Sequence, residues 1–269
     1  MYRLLIVTGK PEVGEMFAAM DGWEAMGFKQ PRLRASVDEA VACMHKHHID
    51  AIAIDDDPAF APLEPWLDEN APSMPIFEIG RNPEDQLAKI REVELLLNYL
   101  HTDNSNDNYD EAYYFQMART HWMKRLISGM APSKEYVLAH QRMYRCKDEA
   151  QAPCVFARIS LAEGEQFLSG RWHYGSERLE TALRNFFGLE HDHLAVHLAI
   201  VSPDEMRVVV CPKMGAGMEM QKRLTAQRAE EFIREAAAQV ENYLGLKLDI
   251  VEVDVLNGLT AFAADNKSA

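Results

Sequence analysis

Ile49-Asp50-Ala51-Ile52-Ala53-Ile54-Asp55 decides the reading of the first half of the chain. A short apolar run held between polar residues reads as a strand. Working outward, Tyr2-Arg3-Leu4-Leu5-Ile6-Val7 upstream and Pro75-Ile76-Phe77-Glu78-Ile79-Gly80 downstream have the same character. Helical spacing fills the gaps. Glu12 to Met26 carries Val13, Phe17, Met20, Trp23 and Met26, and Ser36 to His48 puts Val37, Ala40, Val41 and Met44 on one face. Ser36 followed by Glu39 has the spacing of a capping box. Trp66 lies in a further short helical piece. Strands alternating with helices predict an α/β fold with a doubly wound parallel sheet.

The chain has 269 residues, which suits two modest domains, and 48% hydrophobic residues, enough for true cores. Its net charge of −14 excludes an overall basic face for nucleic acid. Cys43, Cys146, Cys154 and Cys211 form no Cys-x-x-Cys pair and are expected to be buried free thiols, as in a reducing cytosol. No run approaches the roughly 18 apolar residues of a membrane span, so a cytoplasmic location without membrane contact is expected.

After Gly80 the pattern turns helical, with a start at Asn82-Pro83-Glu84-Asp85 and apolar residues at Leu87, Ile90, Val93, Leu96, Leu97 and Leu100. His101 to Tyr109 is polar and reads as a linker. Helices follow from Asp110 to Ile127 and from Ser133 to Tyr144. The expected organisation is thus a first domain over residues 1–100, a linker and helical connector over 101–150, and a second α/β domain over 151–269. On the connector helix, Tyr113, Tyr114, Met117, His121 and Trp122 are expected to form an apolar face that a second copy covers, giving a homodimer, the alternative being that the helix packs back on one of its own domains.

In the second domain, Cys154 to Ile159 reads as a strand, Ser176 to Phe187 as a helix, and His193 to Val201 and Met206 to Cys211 as two strands of a hairpin. Ser202-Pro203-Asp204-Glu205 is the turn between them. A long helix from about Met218 to Leu244 and a last strand near Lys247 to Val255 complete the order.

Gly22-Trp23-Glu24-Ala25-Met26-Gly27-Phe28, set between the first and third strands, resembles the Trp-Glu-x-x-Gly-Phe stretch of response regulators of the AraC-linked class. That resemblance implies a receiver-like first domain with Asp55 at the position of the phosphate-accepting aspartate, and Pro58 as the proline usual a few residues later. It also implies a second domain similar to a degenerate GGDEF domain, with Ser202, Pro203, Asp204 and Glu205 in the hairpin that carries the family's signature. The resemblance covers most of the chain in order and is less specific in its second half.

The same resemblance shows what has been lost. Phosphoryl transfer to a carboxylate needs Mg²⁺, a hard cation that takes several oxygen ligands. The family supplies an acid pair after the first strand, a hydroxyl after the fourth and a lysine after the fifth. Here Thr8 and Gly9 replace the acids, Ile79-Gly80 replaces the hydroxyl, and Asn98-Tyr99-Leu100 is the only remnant proposed for the fifth strand. Asp56 and Asp57 could add oxygens. The expectation is that Asp55 is a solvated acidic strand end, the alternative being a phosphoacceptor. In the hairpin, Ser202 and Pro203 cannot replace glycines that admit a nucleotide. Arg158 and Ser160 stand where cyclase metal ligands would fall, so a solvent-exposed turn is expected.

Three other groups have plain readings. His45, His47 and His48 sit near a helix end, where they favour the dipole. His193 and His197 would share a strand face roughly 13 Å apart, too far for one ion, and His191 with His193 could form only a weak site. Lys213, Lys222, Arg223 and Arg228 read as a solvated helix face. No catalytic residue, metal or cofactor is assigned. The expected function is response-regulator-like signal transduction or transcription regulation through dimerisation and contacts with other signalling proteins. DNA is a partner only if a module follows Ala269. The alternative is an enzyme or a small-ligand sensor using the second domain.

Overall fold

The computed structural model describes residues 1–101, 111–191, 193–215 and 225–265. The chain divides into two compact units, Met1–Thr120 with Ala139–Cys146, and His121–Leu138 with Lys147–Ala269. The segment expected as a separate connector is therefore shared between them, and the linker at 102–110 lies outside the described residues.

The first unit is built on four parallel strands, β1 (Leu4–Val7), β2 (Arg32–Arg34), β3 (Ala51–Ile54) and β4 (Ile76–Glu78), in the order β2-β1-β3-β4. Side-chain alternation splits the apolar residues between two faces. Leu5, Val7, Ile52, Ile54 and Ile76 pack with α2 (Val37–Lys46) and α3 (Leu63–Asn70). Leu4, Ile6, Ala51, Ala53 and Phe77 pack with α1 (Pro11–Ala19), α4 (Pro83–His101) and Phe115 and Ala118 of α5 (Glu111–Ile127). The result is three layers, helices on both faces of a parallel sheet, as the alternating pattern predicts.

Local chemistry explains the departures. α1 ends at Ala19, short of the expected Met26, because Gly22 and Gly27 take φ values of +82° and +77° and shape a turn. That turn delivers Trp23 and Phe28 into the core, Trp23 stacked on Phe17 at 6.1 Å. Ser36 caps α2 by accepting from the Glu39 N–H at 3.2 Å, while the Glu39 carboxylate accepts from Ala35 N–H at 3.1 Å. The stretch proposed as a fifth-strand remnant, Asn98-Tyr99-Leu100, is helical and lies in α4, with Leu97 and Leu100 buried.

The second unit carries an antiparallel sheet of β5 (Cys154–Leu161), β6 (Glu190–His191), β7 (Leu194–Ser202), β8 (Glu205–Pro212) and β9 (Leu248–Leu256), in the order β6-β7-β8-β5-β9. Between β5 and β6 lie a single turn α7 (Gly164–Gln166), a π-helical stretch at Phe167–Trp172 and α8 (Ser176–Phe187). The described part of the long helix, α9, spans Ala226–Leu244, capped by the Thr225 side chain and closed by Gly245 in the left-handed region. Leaving β6 aside, this is strand–helix–strand–strand–helix–strand with the first strand between the third and last, the split β-α-β arrangement of ferredoxin-like folds. Leu179 and Leu183 of α8 and Ile233 and Val240 of α9 pack on the face formed by Val196, Leu198, Val208 and Val210.

α6 (Lys134–Met143) is divided at Leu138/Ala139, its first turns belonging to the second unit and its end to the first. The apolar face expected on α5 is divided. Trp122 is buried in the protein's own core and Tyr114 packs against the first unit's core, which leaves Tyr113, Met117 and His121 exposed. All four cysteines are buried free thiols. No helix among the described residues is long and apolar enough to cross a membrane.

Candidate functional site

In an open parallel sheet, the crevice outside the carboxyl ends of the strands, where the strand order reverses, is the natural site. In the order β2-β1-β3-β4 that crevice lies between β1 and β3. The parallel pairing of Val7 with Ile54 carries the chain directly into it, to Thr8 on one side and Asp55 on the other.

Asp55 is not a solvated strand end. It is 4% exposed, and both carboxylate oxygens are engaged. Oδ2 accepts from the Thr8 hydroxyl at 2.7 Å. Oδ1 accepts from the Lys10 ammonium at 2.8 Å and from the Asp57 N–H at 3.3 Å. The same ammonium lies 3.7 Å from an oxygen of Asp56. Thr8 in turn accepts from Lys10 N–H at 3.1 Å, which folds the β1–α1 loop so that the lysine reaches back over β3. Burial pushes the Asp55 carboxyl up. The hydrogen bonds from Lys10 and Thr8 and the Lys10 charge outweigh it and hold the group below its ordinary value. The Lys10 ammonium is held above its ordinary value, chiefly by its hydrogen bond to Asp55.

Asp56 and Asp57 do not add to a metal cradle here. Asp56 is largely solvent-exposed, and the Asp57 side chain accepts from Ala59 N–H at 2.9 Å, starting the single 3₁₀ turn Pro58–Phe60. Pro58 is the first residue of that turn. At the end of β4, Gly80 N–H donates to the Gln86 side chain at 2.5 Å. A Cβ on Gly80 would stand 2.5 Å from the Gln86 backbone nitrogen and 2.6 Å from its Cα. Packing against α4 therefore demands glycine at this position. The arrangement is an internally neutralised carboxylate, with an ammonium where a divalent cation would have to bind.

The hairpin of the second unit is a two-residue turn, Pro203-Asp204, with Ser202 paired to Glu205. Its backbone is tied down. Asp204 O accepts from Leu161 N–H at 2.9 Å, and Pro203 O presses on Gly164. Glu205 accepts from Arg207 at 2.8 Å. Arg158 pairs with Glu252 across β5 and β9 at 3.0 Å, and Ser160 faces Glu205 and Asp249 in the sheet register.

His48 bonds Asp50 at 2.8 Å, and the His47 imidazole is held below its ordinary value by desolvation and by Arg32 and Arg34. His193 does not share a strand face with His197. It sits in the turn before β7 with φ +66°, and the side chain of His191 is outside what the structure describes. Lys213 pairs with Glu190 and Arg228 is exposed, while Lys222 and Arg223 lie outside the described residues.

The sequence reading missed Lys10. Its spacing two residues from Thr8, on the same side of the chain as it leaves β1, was the available signal. Compared with known proteins, the chain matches no protein-family model and no curated sequence.

Proposed function

We propose that this chain is a response-regulator-like signalling or transcription-regulatory protein that works through dimerisation and partner binding, without catalysis. In this reading the first unit is receiver-like and the second is a degenerate GGDEF-like domain. The observation that carries it is the position of Asp55 at the β1–β3 crevice with both oxygens taken by Thr8 and Lys10. Attack on a phosphodonor needs a free carboxylate oxygen and a cation able to bridge it to the transferring group. Here the charge of Asp55 is already balanced inside the protein, so the unit would keep one conformation whatever the phosphodonor supply.

Contacts with other proteins would then carry the signal. One face of the first unit suits a second copy. Leu95 and Tyr99 of α4 and Tyr113 and Met117 of α5 are large exposed side chains at helical spacing. Tyr99 has neighbours on α5, since its phenol is raised by burial and then by Tyr113 and Tyr114.

The test of the signalling reading is intact-mass measurement after treatment with acetyl phosphate and Mg²⁺. No phospho-adduct is expected. A clear adduct that disappears in Asp55→Asn would overturn the reading.

A further inference from the structure

Among the described residues, one set of mixed ligand side chains converges. The donor atoms of Asp148, His197 and Cys211 all lie within 4.8 Å of one another. The strand register brings two of them together. His197 stands opposite Val209 and Cys211 opposite Ala195, so they are diagonal neighbours on one face of the β7–β8 pair. That face is turned away from α8 and α9, because the alternate residues Val196, Leu198, Val208 and Val210 fill the core under those helices. Asp148 is laid over the pair by the chain entering β5. Its backbone bridges to Lys213, Glu149 N–H donates to Pro212 O at 2.8 Å, and Met214 N–H donates to Lys147 O at 2.7 Å.

Both side chains from the sheet address the same carboxylate oxygen. His197 Nε2 is 3.1 Å and Cys211 Sγ 3.6 Å from Asp148 Oδ1. A tetrahedral Zn²⁺, with bonds of about 2.0–2.1 Å to nitrogen and oxygen and about 2.3 Å to sulfur, sets N···O and S···O edges of about 3.3 and 3.6 Å. The third edge, imidazole nitrogen to Sγ, is about 3.6 Å in such a site and lies within 4.8 Å here, so side-chain rotation on metal binding would have to close the remainder. Imidazole, carboxylate and thiolate together suit a borderline cation such as Zn²⁺, whereas Mg²⁺ and Ca²⁺ take oxygen ligands throughout. Three protein ligands leave a fourth position for water. Asp148 and Cys211 are buried, while the His197 side chain is 24% exposed and opens the site to solvent.

The same three residue types could instead make a nucleophilic thiol. That chemistry needs the imidazole between thiol and carboxylate, so that it takes the thiol proton. Here the carboxylate oxygen is the shared partner of the other two, and Cys211 is fully buried. We infer that Asp148, His197 and Cys211 form a binding site for Zn²⁺ or a similar borderline divalent cation, which fastens the 147–149 segment to the β7–β8 hairpin. Binding would release the Cys211 thiol proton to solvent. This inference does not depend on the signalling function proposed above.

Co²⁺ serves as the spectroscopic probe. Titrated into the intact, metal-stripped chain, it should bind at one equivalent. A thiolate-to-cobalt charge-transfer band and the intense visible bands of a tetrahedral site should appear, and Zn²⁺ should displace them. Cys211→Ser should abolish the charge-transfer band. His197→Gln and Asp148→Asn should each weaken binding at least tenfold, and Cys43→Ser should leave it intact. Absence of the thiolate band in the unsubstituted protein would overturn the inference, whether or not any variant folds. So would a band that survives Cys211→Ser, or unchanged affinity in both His197→Gln and Asp148→Asn.

Discussion

Replacing Gly164 by alanine tests how tightly the β7–β8 turn is held. Gly164 is buried at the start of α7, and an added Cβ would lie 2.0 Å from Pro203 O and 3.1 Å from Leu161 Cβ. A carbon normally approaches a carbonyl oxygen no closer than about 3.3 Å. One backbone must therefore move by more than 1 Å, on the difference between these two distances. The obstacle is a carbonyl in a two-residue turn, not a flexible side-chain tip. The next carbonyl, Asp204 O, holds Leu161 N–H at 2.9 Å, so displacing the turn strains that bond too. Overpacking costs about 1–3 kcal/mol. Loss of the hydrogen bond adds about 1 kcal/mol. The reduced freedom of the unfolded chain offsets about 0.4–1 kcal/mol. The net loss is about 1–3.5 kcal/mol, centred near 2, which at about 2 kcal/mol per molar urea lowers the unfolding midpoint of the second unit by about 0.5–1.8 M. Urea unfolding followed by circular dichroism and tryptophan fluorescence measures it. Gly170→Ala is the control, because nothing lies within 4 Å of a Cβ there. A midpoint for Gly164→Ala equal to or above that of the parent would refute the argument.

Three further outcomes are expected. The folded carboxyl of Asp55 lies below its ordinary value of 3.8, so its contribution to stability is complete above that pH and is lost as pH falls through the lower folded value. Unfolding midpoints measured between pH 6 and pH 2.5 should fall more steeply for the parent than for Asp55→Asn, and parallel curves would contradict the ion-pair account. Light scattering at tens of micromolar should report a dimer that Met117→Glu converts to a folded monomer. Trp122→Glu is no test of this, because Trp122 is buried and its loss would unfold the chain. Calorimetry with GTP and Mg²⁺ should show no binding heat, and micromolar affinity would reverse the reading of the Ser202–Glu205 turn.

In the first unit, the strands plainest in the sequence were the two central ones, buried on both faces. Leu4–Val7 and Ala51–Ile54 are continuous apolar runs, and the amphipathic spacing of Ser176–Phe187 matches α8 residue for residue. β2, Arg32–Arg34, has no such signal, because an edge strand with exposed arginines has no apolar alternation. Lys10 was hidden for a different reason. Its partner lies 45 residues away, and only the parallel pairing of β1 with β3 makes them neighbours. The Asp148–His197–Cys211 cluster depends on an irregularity. A regular ladder continued from the Ser202–Glu205 pair would set Cys211 opposite Val196, on the far face from His197. The register shift between Ile200 and Ser202 sets it opposite Ala195 instead and turns it to the near face. Periodicity alone gives no sign of a single extra residue in one strand.

On the receiver-like reading proposed above, the close contact between Gly80 and Gln86 would make any loss of reactivity in the Asp55 pocket a one-way ratchet. A threonine placed at position 80 alone would drive its Cβ into the backbone of Gln86, so that change lowers stability whatever chemistry its hydroxyl brings. Removing Lys10 alone would leave Asp55 buried without its balancing charge. Thr8, Lys10 and Gly80 each support a neighbour: Thr8 and Lys10 hold Asp55, and Gly80 lets the Gln86 backbone approach. An engineer seeking to build phosphoryl transfer into this pocket would have to change positions 8, 9, 10, 80 and 86 together, and single changes at positions 10 and 80 would each meet a barrier.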